Sequence, residues 1–249
     1  MDKLVYTAAT GLGARMAAQA AIANNMANAS TTGFRADRVV FDRLELTGGG
    51  AALRARAPAA EEVTDADRRA GTVVQTGRPL DVALNGDAWL AVQAADGEEA
   101  YTRRGDLQVT PTGVLQTGDG FIVQGQSGPV TLPPYDKLTI AADGSIAIVP
   151  AGGDPAQVQV IDRLKLASPR GTDTVKGLDN LLRVRGGGTL PADLDAGVTG
   201  GALEGSNVDM TQALVDMIEN QRGYEVSASL LKEARSMDEQ GASLMRLPA

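Results

Sequence analysis

The chain has 249 residues, 43% of them hydrophobic, enough to bury a substantial core in one large domain or two ordinary ones. It contains no cysteine and no histidine, which excludes disulfides, thiolate nucleophiles, imidazole bases and Cys/His metal centres. A net charge of −8 has the wrong sign for an extended nucleic-acid footprint, and no run of about 18 apolar residues offers a membrane span. Aromatics make up only 3% against 30 glycines, so the core must be built from Ala, Val, Leu and Ile, and such a chain leans on assembly for stability.

Residues 1–28 form the first predicted element. Leu4, Ala8, Leu12, Ala18, Ile22 and Met26 recur at spacings compatible with one helical face, with alanines between them, which predicts a helix from about residue 3 to 28. Arg15, Gln19, Asn24 and Asn25 interrupt this Ala-rich opening, so it does not read as a conventional secretion signal. Three asparagines in five positions, Asn24, Asn25 and Asn28, are poor helix material. C-terminal capping accounts for one or two of them; amide hydrogen bonding between packed helices, which fixes register, is the favoured role. The helix should end at Ser30-Thr31-Thr32-Gly33, ahead of Phe34. Residues 47–72, with Gly48-Gly49-Gly50 and a polar stretch, read as a loop or extended arm that settles against a partner.

Ten of the eleven prolines fall between Pro58 and Pro191, and the last is Pro248. An interior proline removes a helical hydrogen bond, so the proline-free flanks suit long helices and the punctuated middle suits strands and turns. The acidic excess sits mainly in the same middle. From residue 77 the pattern alternates, predicting short strands around Leu80–Leu84, Trp89–Val92, Leu107–Val109, Phe121–Val123, Leu138–Ile140, Ile146–Ile148 and Val158–Ile161. Asn85-Gly86, Asp96-Gly97, Thr112-Gly113, Asp119-Gly120 and Asp143-Gly144 supply turns between strands. An antiparallel meander or small barrel over about residues 75–200 follows, with looser glycine-rich connectors at residues 186–188 and 197–205.

Asp209 followed by Gln212 predicts a capping box opening the last helix. From there Leu214, Met217, Gln221, Tyr224, Ala228, Leu231, Arg235, Asp238, Ala242 and Met245 repeat 3-4-3-4, a coiled-coil seam with three polar positions. About 38 helical residues would run about 57 Å, longer than a domain of this size covers. Something else must bury it.

Other chemical motifs reduce to simpler readings. The stretch 118–125 lacks G-x-G-x-x-G spacing and a following helix, so an Asp-Gly hairpin explains it better than a phosphate site. Asp65 and Asp67 open like a calcium loop, but the glycine and glutamate that should follow are missing. Asp81 with Asp87 is one of many carboxylate pairs that could be drawn for glycoside chemistry, and nothing singles it out. Arg222 lies within a turn of Glu219 and Glu225 and can pair with them or bridge to a neighbour.

Three separated motifs do carry a resemblance. Ala23-Asn24-Asn25-Met26-Ala27-Asn28-Ala29-Ser30-Thr31-Thr32-Gly33-Phe34-Arg35, then Thr76-Gly77-Arg78-Pro79-Leu80-Asp81 with Tyr101-Thr102-Arg103-Arg104-Gly105, and finally Leu203-Glu204-Gly205-Ser206-Asn207-Val208-Asp209 with Met217-Ile218-Glu219-Asn220-Gln221-Arg222-Gly223-Tyr224-Glu225 occur in order. Their pattern resembles that of the bacterial flagellar rod, hook and hook–filament-junction axial proteins, over nearly the whole chain. The opening residues 1–11 and the modest length are most like the proximal rod members. Departures are Trp89-Leu90, where relatives usually carry paired aromatics, and Ser227-Ala228-Ser229 after the tyrosine.

The resemblance implies an α+β fold in which long N- and C-terminal helices pair as a discontinuous α-helical domain (residues 1–46 and 201–249), an arm at 47–75, and a central antiparallel β-rich outer domain at 76–200. It implies a non-enzymatic structural subunit without catalytic, metal or cofactor site, residing in the periplasmic rod of the flagellar basal body. Its partners would be other rod proteins and copies of itself in a helical assembly, together with the flagellar type III export apparatus, and neither nucleic acid nor a spanned membrane. The expected subunit-assembly residues are Leu4, Ala8, Leu12, Ile22, Asn24, Asn25, Met26, Asn28, Gly33, Phe34, Asn207, Leu214, Met217, Ile218, Gln221, Arg222, Tyr224 and Leu231. A distal rod or hook subunit, or a glycan-acting enzyme or binding module on the β-domain, are the alternative readings.

Overall fold

In a computed structural model, residues 2–40, 43–45, 56–58, 63–154 and 156–244 are described. The protein is α+β. Helices α1 (Asp2–Ala27) and α2 (Met210–Leu244) flank a mostly antiparallel β-rich middle. The chain divides into two compact units: one gathers α1, α2 and the described part of residues 37–64, with strands β1 (Asp37–Val40), β2 (Arg43–Glu45) and β3 (Arg56–Pro58). The other gathers residues 28–36 and 65–208.

Both helix boundaries follow from local chemistry. After α1 a turn closes as Thr31 N donates to Asn28 O at 3.1 Å, and the Thr31 hydroxyl reaches Asn28 Oδ1 at 3.1 Å. At the start of α2, Asp209 Oδ1 accepts from the backbone N–H groups of Thr211 (2.8 Å) and Gln212 (3.2 Å), an N-cap. The reciprocal arm of the expected capping box is absent. The Gln212 side chain instead reaches one turn forward to Asp216 Oδ1 at 2.8 Å, an exposed i,i+4 pair.

The strands that follow are β4 (Val63–Ala66), β5 (Val73–Gln75), β6 (Val82–Leu84), β7 (Trp89–Gln93), β8 (Glu99–Thr102), β9 (Leu107–Val109), β10 (Leu115–Thr117) and β11 (Ile122–Val123). Next come β12 (Tyr135–Ile140), β13 (Ser145–Pro150), β14 (Gln159–Arg163), β15 (Leu166–Ala167), β16 (Thr174–Lys176), β17 (Leu182–Val184), β18 (Val198–Gly200) and β19 (Ala202–Glu204). The main sheet runs β16-β17-β8-β7-β11-β10-β9, with β15 also pairing β7. β12-β13-β14 form a separate meander, and two ribbons pair β18 with β6 and β19 with β5. All five sequence-predicted turn glycines, at 86, 97, 113, 120 and 144, adopt positive φ. At the β12–β13 turn, Asp143 Oδ1 additionally accepts from Ser145 N at 3.1 Å, fixing the register that sets Ile140 opposite Ile146.

The sheet order departs from a simple meander, because β15 to β17 return to the main sheet after the β12–β14 excursion. The stretch 197–205, expected to be a loose connector, contains two strands. Val198 pairs with Leu84, Ala202 with Gln75, and both are buried, with Gly201 at φ +69 separating the ribbons. Short strands paired over three residues leave too little periodicity to detect. Of the expected arm, residues 56–58 and 63–72 are described, and Gly48-Gly49-Gly50 lies outside the described residues.

β7 organises the core because successive strand residues face opposite sides. Leu90 and Val92 join the main cluster with Val82, Leu107, Leu115 and Ile146, whereas Trp89 and Ala91 join a second with Tyr101, Leu182 and Leu190. Each fully buried aliphatic side chain contributes about 1.5–3 kcal/mol. Tyr101 carries a polar group into the second cluster, where its hydroxyl donates to Glu99 Oε1 at 2.6 Å and accepts from Leu190 N. Glu99 is held in turn by Lys165 Nζ at 2.7 and 2.8 Å. Desolvation, then the hydrogen bond to Glu99, raise the Tyr101 pKa above its ordinary 10.0. The folded state thus favours the protonated phenol. This stabilisation is complete below pH 10.0 and is lost as pH rises from there toward the folded value. Tyr101→Phe should cost about 1–3 kcal/mol at neutral pH by orphaning Leu190 N, and should flatten the decline in stability above pH 10, read from denaturant unfolding across that range.

Candidate functional site

Two arrangements of functional interest emerge, one in each compact unit. In the helical unit, the buried side chains of α2 among the described residues are Ala213, Asn220 and Ala234. Asn220 Nδ2 donates to Arg15 O at 2.9 Å and to Gln19 Oε1 at 2.8 Å, so a polar amide sets the register of α2 on α1. Its Oδ1 is buried without a hydrogen-bond partner. One turn on, Gly223 makes room for the Arg15 guanidinium: a Cβ there would lie 2.7 Å from Arg15 Cζ.

The face of α2 toward α1 therefore runs one position away from the apolar seam read in the sequence. Met217, Ala228 and Leu231 are half-buried, but Leu214, Gln221, Tyr224 and Arg235 are exposed, Asp238's side chain, Ala242's side chain and Met245 lying outside the described residues. Small residues at the contact let the two backbones approach, and a heptad search weighted toward large apolar residues passes over them. Those large residues end up on both flanks of α2: Met210, Leu214, Ile218 and Tyr224 on one side, Val215, Val226, Leu230 and Met237 on the other, all exposed. No described side chain of α1 is fully buried; Ala8, Leu12, Ile22 and Met26 are half-buried, and Leu4's side chain lies outside the described residues. Between the helices an apolar groove of about 440 Å³ is lined by Met16, Ala20, Ala23 and Tyr224 among others. Arg222 is exposed on the same helix.

Two of the three clustered asparagines reach the chain that follows α1. Asn25 Nδ2 donates to Asp37 O at 3.0 Å while its Oδ1 accepts from Asp37 N at 2.6 Å, and Asn24 Nδ2 donates to the Asp37 carboxylate. Side-chain amides here imitate a neighbouring strand and pin the first residue of β1. Asn28 closes the turn after α1, and it is Asn220 that bonds between helices.

In the β-rich unit, the separated motifs meet at one buried carboxylate. Glu204, 1% exposed, accepts from Arg35 Nη2 at 2.6 Å and from Arg103 Nε at 2.9 Å, with Arg103 Nη2 at 2.5 Å and the Gly71 N–H at 2.8 Å. Arg103 also donates to the carbonyls of Leu84 (2.8 Å), Gly86 (2.9 Å) and Ala88. Gly33, at φ +66, packs so closely on Arg103 that a Cβ would lie 2.5 Å from its carbonyl carbon, and its N–H donates to Glu204 O at 2.7 Å. Phe34 is buried beneath Lys176, whose Nζ sits 3.8 Å from the ring centroid and donates to Arg35 O at 2.7 Å.

Asn207 stitches the same region through its side chain. Oδ1 accepts from Ala36 N at 2.7 Å, and Nδ2 donates to Asp67 O at 3.0 Å and Arg69 O at 2.8 Å. Asp81 is held by the Thr76 hydroxyl at 2.7 Å and by Arg78 Nε at 3.1 Å, which accounts for the residue pattern of that segment. The second arginine of the 101–105 segment, Arg104, bonds Asp106 and Asp119, each at 2.6 Å. Gly118, once the start of a nominal phosphate loop, is the glycine that clears this pair: its Cβ would lie 2.1 Å from Asp106 Oδ2.

Comparison with known proteins matches the chain at three places. Residues 5–35 match the family profile described as flagella basal body rod protein, residues 83–148 the flagellar hook protein FlgE/F/G D1 domain, and residues 199–244 the flagellar basal body rod FlgEFG protein C-terminal. The chain is 41% identical over 245 residues to the flagellar basal-body rod protein FlgF of Salmonella typhimurium, covering 96% of this chain and 95% of that protein. The chain belongs to the flagellar basal-body rod protein family. It is 40% identical over 237 residues to FlgF of Escherichia coli, covering 93% of each, and 31% identical over 246 residues to the rod protein FlgG of Bacillus subtilis, covering 90% of this chain and 92% of that one.

For this rod-family chain the three matched segments contribute Arg35, Arg103 and Glu204 in turn, and the first and last also hold Arg15, Gln19 and Asn220, so the buried ion-pair cluster and the interhelical amide both lie within them. Arg35, Arg103 and Glu204 stand within the sequence motifs but outside the expected assembly residues. Their signal was opposite charge in widely separated motifs. Glu204→Ala should cost about 3–5 kcal/mol, because it leaves two arginines buried without their shared counter-ion, and urea unfolding of the full chain should show it.

Proposed function

We propose that this chain is a proximal-type structural subunit of the flagellar basal-body rod that polymerises through its two terminal helices, which act together as an inner helical domain while the β-rich middle forms an outer one. Exposure of the large apolar residues on both flanks of α2 supports this reading most directly. A helix with apolar side chains all round belongs in an interior, and within a single chain α1 covers only one face. Burial of Leu214, Ile218 and Tyr224, with Gln221 and Arg222 supplying polar contacts, would contribute about 25 cal/mol per Å² of apolar surface removed from water. Ala8, Leu12, Ile22 and Met26, half-buried on α1, complete the proposed interface.

Repeated head-to-tail use of such a surface gives contacts that do not close, hence a helical shaft, and many shared contacts let it carry torque. Other rod proteins and further copies of the chain are the partners, and the flagellar type III export apparatus is the route by which the subunit reaches them. Domain boundaries near residues 46, 76 and 201, and an arm between the first two, are part of the same reading. The reading assigns no catalytic chemistry to the chain.

Leu214→Asp and Ile218→Asp test the proposal, because both positions are exposed in the single chain. Each purified variant should unfold within about 0.5 kcal/mol of the parent, as exposed substitutions do, yet fail to restore rod completion and swimming to a strain lacking the native gene. Normal swimming by both variants would overturn it. Hydrogen exchange on the monomer should be fast in α1 and α2 and slow in the β-rich unit.

A further inference from the structure

Within the β-rich unit, four arginines surround one small cavity. Arg35, Arg68, Arg103 and Arg170 line it together with Asp87 and Trp89, and its volume is about 20 Å³. That is room for one small species and too little for a polyatomic oxyanion.

The charges around it do not balance. Glu204 answers Arg35 and Arg103, and Asp87 pairs with Arg170 at 2.6 Å; Asp67 also acts on Arg35 but is paired with Arg69 at 2.6 Å, so the four guanidinium groups of the lining outnumber the carboxylates that answer them. Arg68 has only the neutral Thr174 hydroxyl, at 3.2 Å. Arg103 is fully engaged by Glu204 and backbone carbonyls. Arg35 is not: it is 4% exposed, Nη2 binds Glu204, and both Nε and Nη1 are buried without a hydrogen-bond partner. A buried donor left unmade costs the desolvation of that group with nothing in return, and more when the group is charged. Burial lowers the Arg35 pKa from the ordinary arginine value, with Arg103 adding to it against the pull of Glu204, Asp67 and Asp87.

We propose that this pocket binds one monatomic halide, chloride under ordinary conditions, held by the free donors of Arg35 and by the rim charges of Arg68 and Arg170. A water molecule would accept some of the same hydrogen bonds but would leave the excess positive charge in place. An anion satisfies the donors and offsets the charge together.

The test uses the full chain with sodium gluconate exchanged for sodium chloride at fixed ionic strength, gluconate being too large for the cavity. The unfolding temperature should rise with chloride and saturate, as expected for one site on the folded state. Arg68→Gln or Arg170→Gln should weaken the apparent affinity about tenfold, the effect of one charge-assisted contact, while Arg185→Gln, at a residue paired with Asp173 away from the cavity lining, should not. Crystals of the unmodified chain grown in bromide should show an anomalous peak beside Arg35. An unfolding temperature indifferent to the anion, a chloride effect equal in all three variants, or a bromide structure without that peak would overturn the proposal and leave water as the occupant.

Discussion

Glu204 is the constraint on which the β-rich unit depends. One carboxylate, shut away from water, is shared by two arginines that come from opposite parts of the chain, and neither arginine could be buried without it. Because a buried ion pair rarely adds much net stability over apolar packing, its value here is in specification. Arg103 reads out the carbonyls at Leu84, Gly86 and Ala88, Arg35 brings in the segment after α1, and Gly71 N closes the ring. Any other register of β19 would strand three charges. Gly33 and Asn207, one by its lack of a side chain and the other by three amide hydrogen bonds, then fit the backbone around this centre.

The helical unit follows a different logic. Its fully buried contact uses small residues and one asparagine, Asn220, while many of the large apolar side chains of α2 are exposed. A monomer optimised for its own stability would do the reverse. On the proposed assembly, placing the small residues inside and most of the large ones outside would reserve much of the hydrophobic driving force for other subunits, while Asn220 keeps the two helices in register.

Much of this architecture was legible in the sequence because it rested on strong local signals. Proline placement separated helices from strands, the Asn-Gly and Asp-Gly pairs marked turns that all take positive φ, and α1 ended at the hydroxyl-rich turn the sequence indicated. What escaped detection depended on distance rather than on local pattern. β18 and β19 are three residues each and exist only through ladders to β6 and β5. The helix seam was displaced by one position because periodicity reports where apolar residues are, not which neighbour they are meant for. Asn24 and Asn25 were noticed as poor helix formers, yet their partner Asp37 carries no mark that would identify it. Arg35, Arg103 and Glu204 were visible only as members of motifs, since nothing in a linear string tells a solvated charge from a buried one.

Asn207 and Ala36 are 171 residues apart in the chain, yet Asn207 Oδ1 accepts from Ala36 N at 2.7 Å, a single amide bridging the two stretches of chain that lead out of the β-rich unit. Bringing such distant points together in an unfolded chain costs about 4.5 kcal/mol of loop-closure entropy plus a constant. Once the β-rich unit has folded, that cost has already been met by its own core. α1 and α2 then meet as though joined by a short tether, at an effective concentration that a free pair of weakly paired helices would never reach. The middle of the chain is thus a clasp as well as a domain, and on the proposed assembly it would spare the helices from having to pair strongly with each other before they meet a new neighbour.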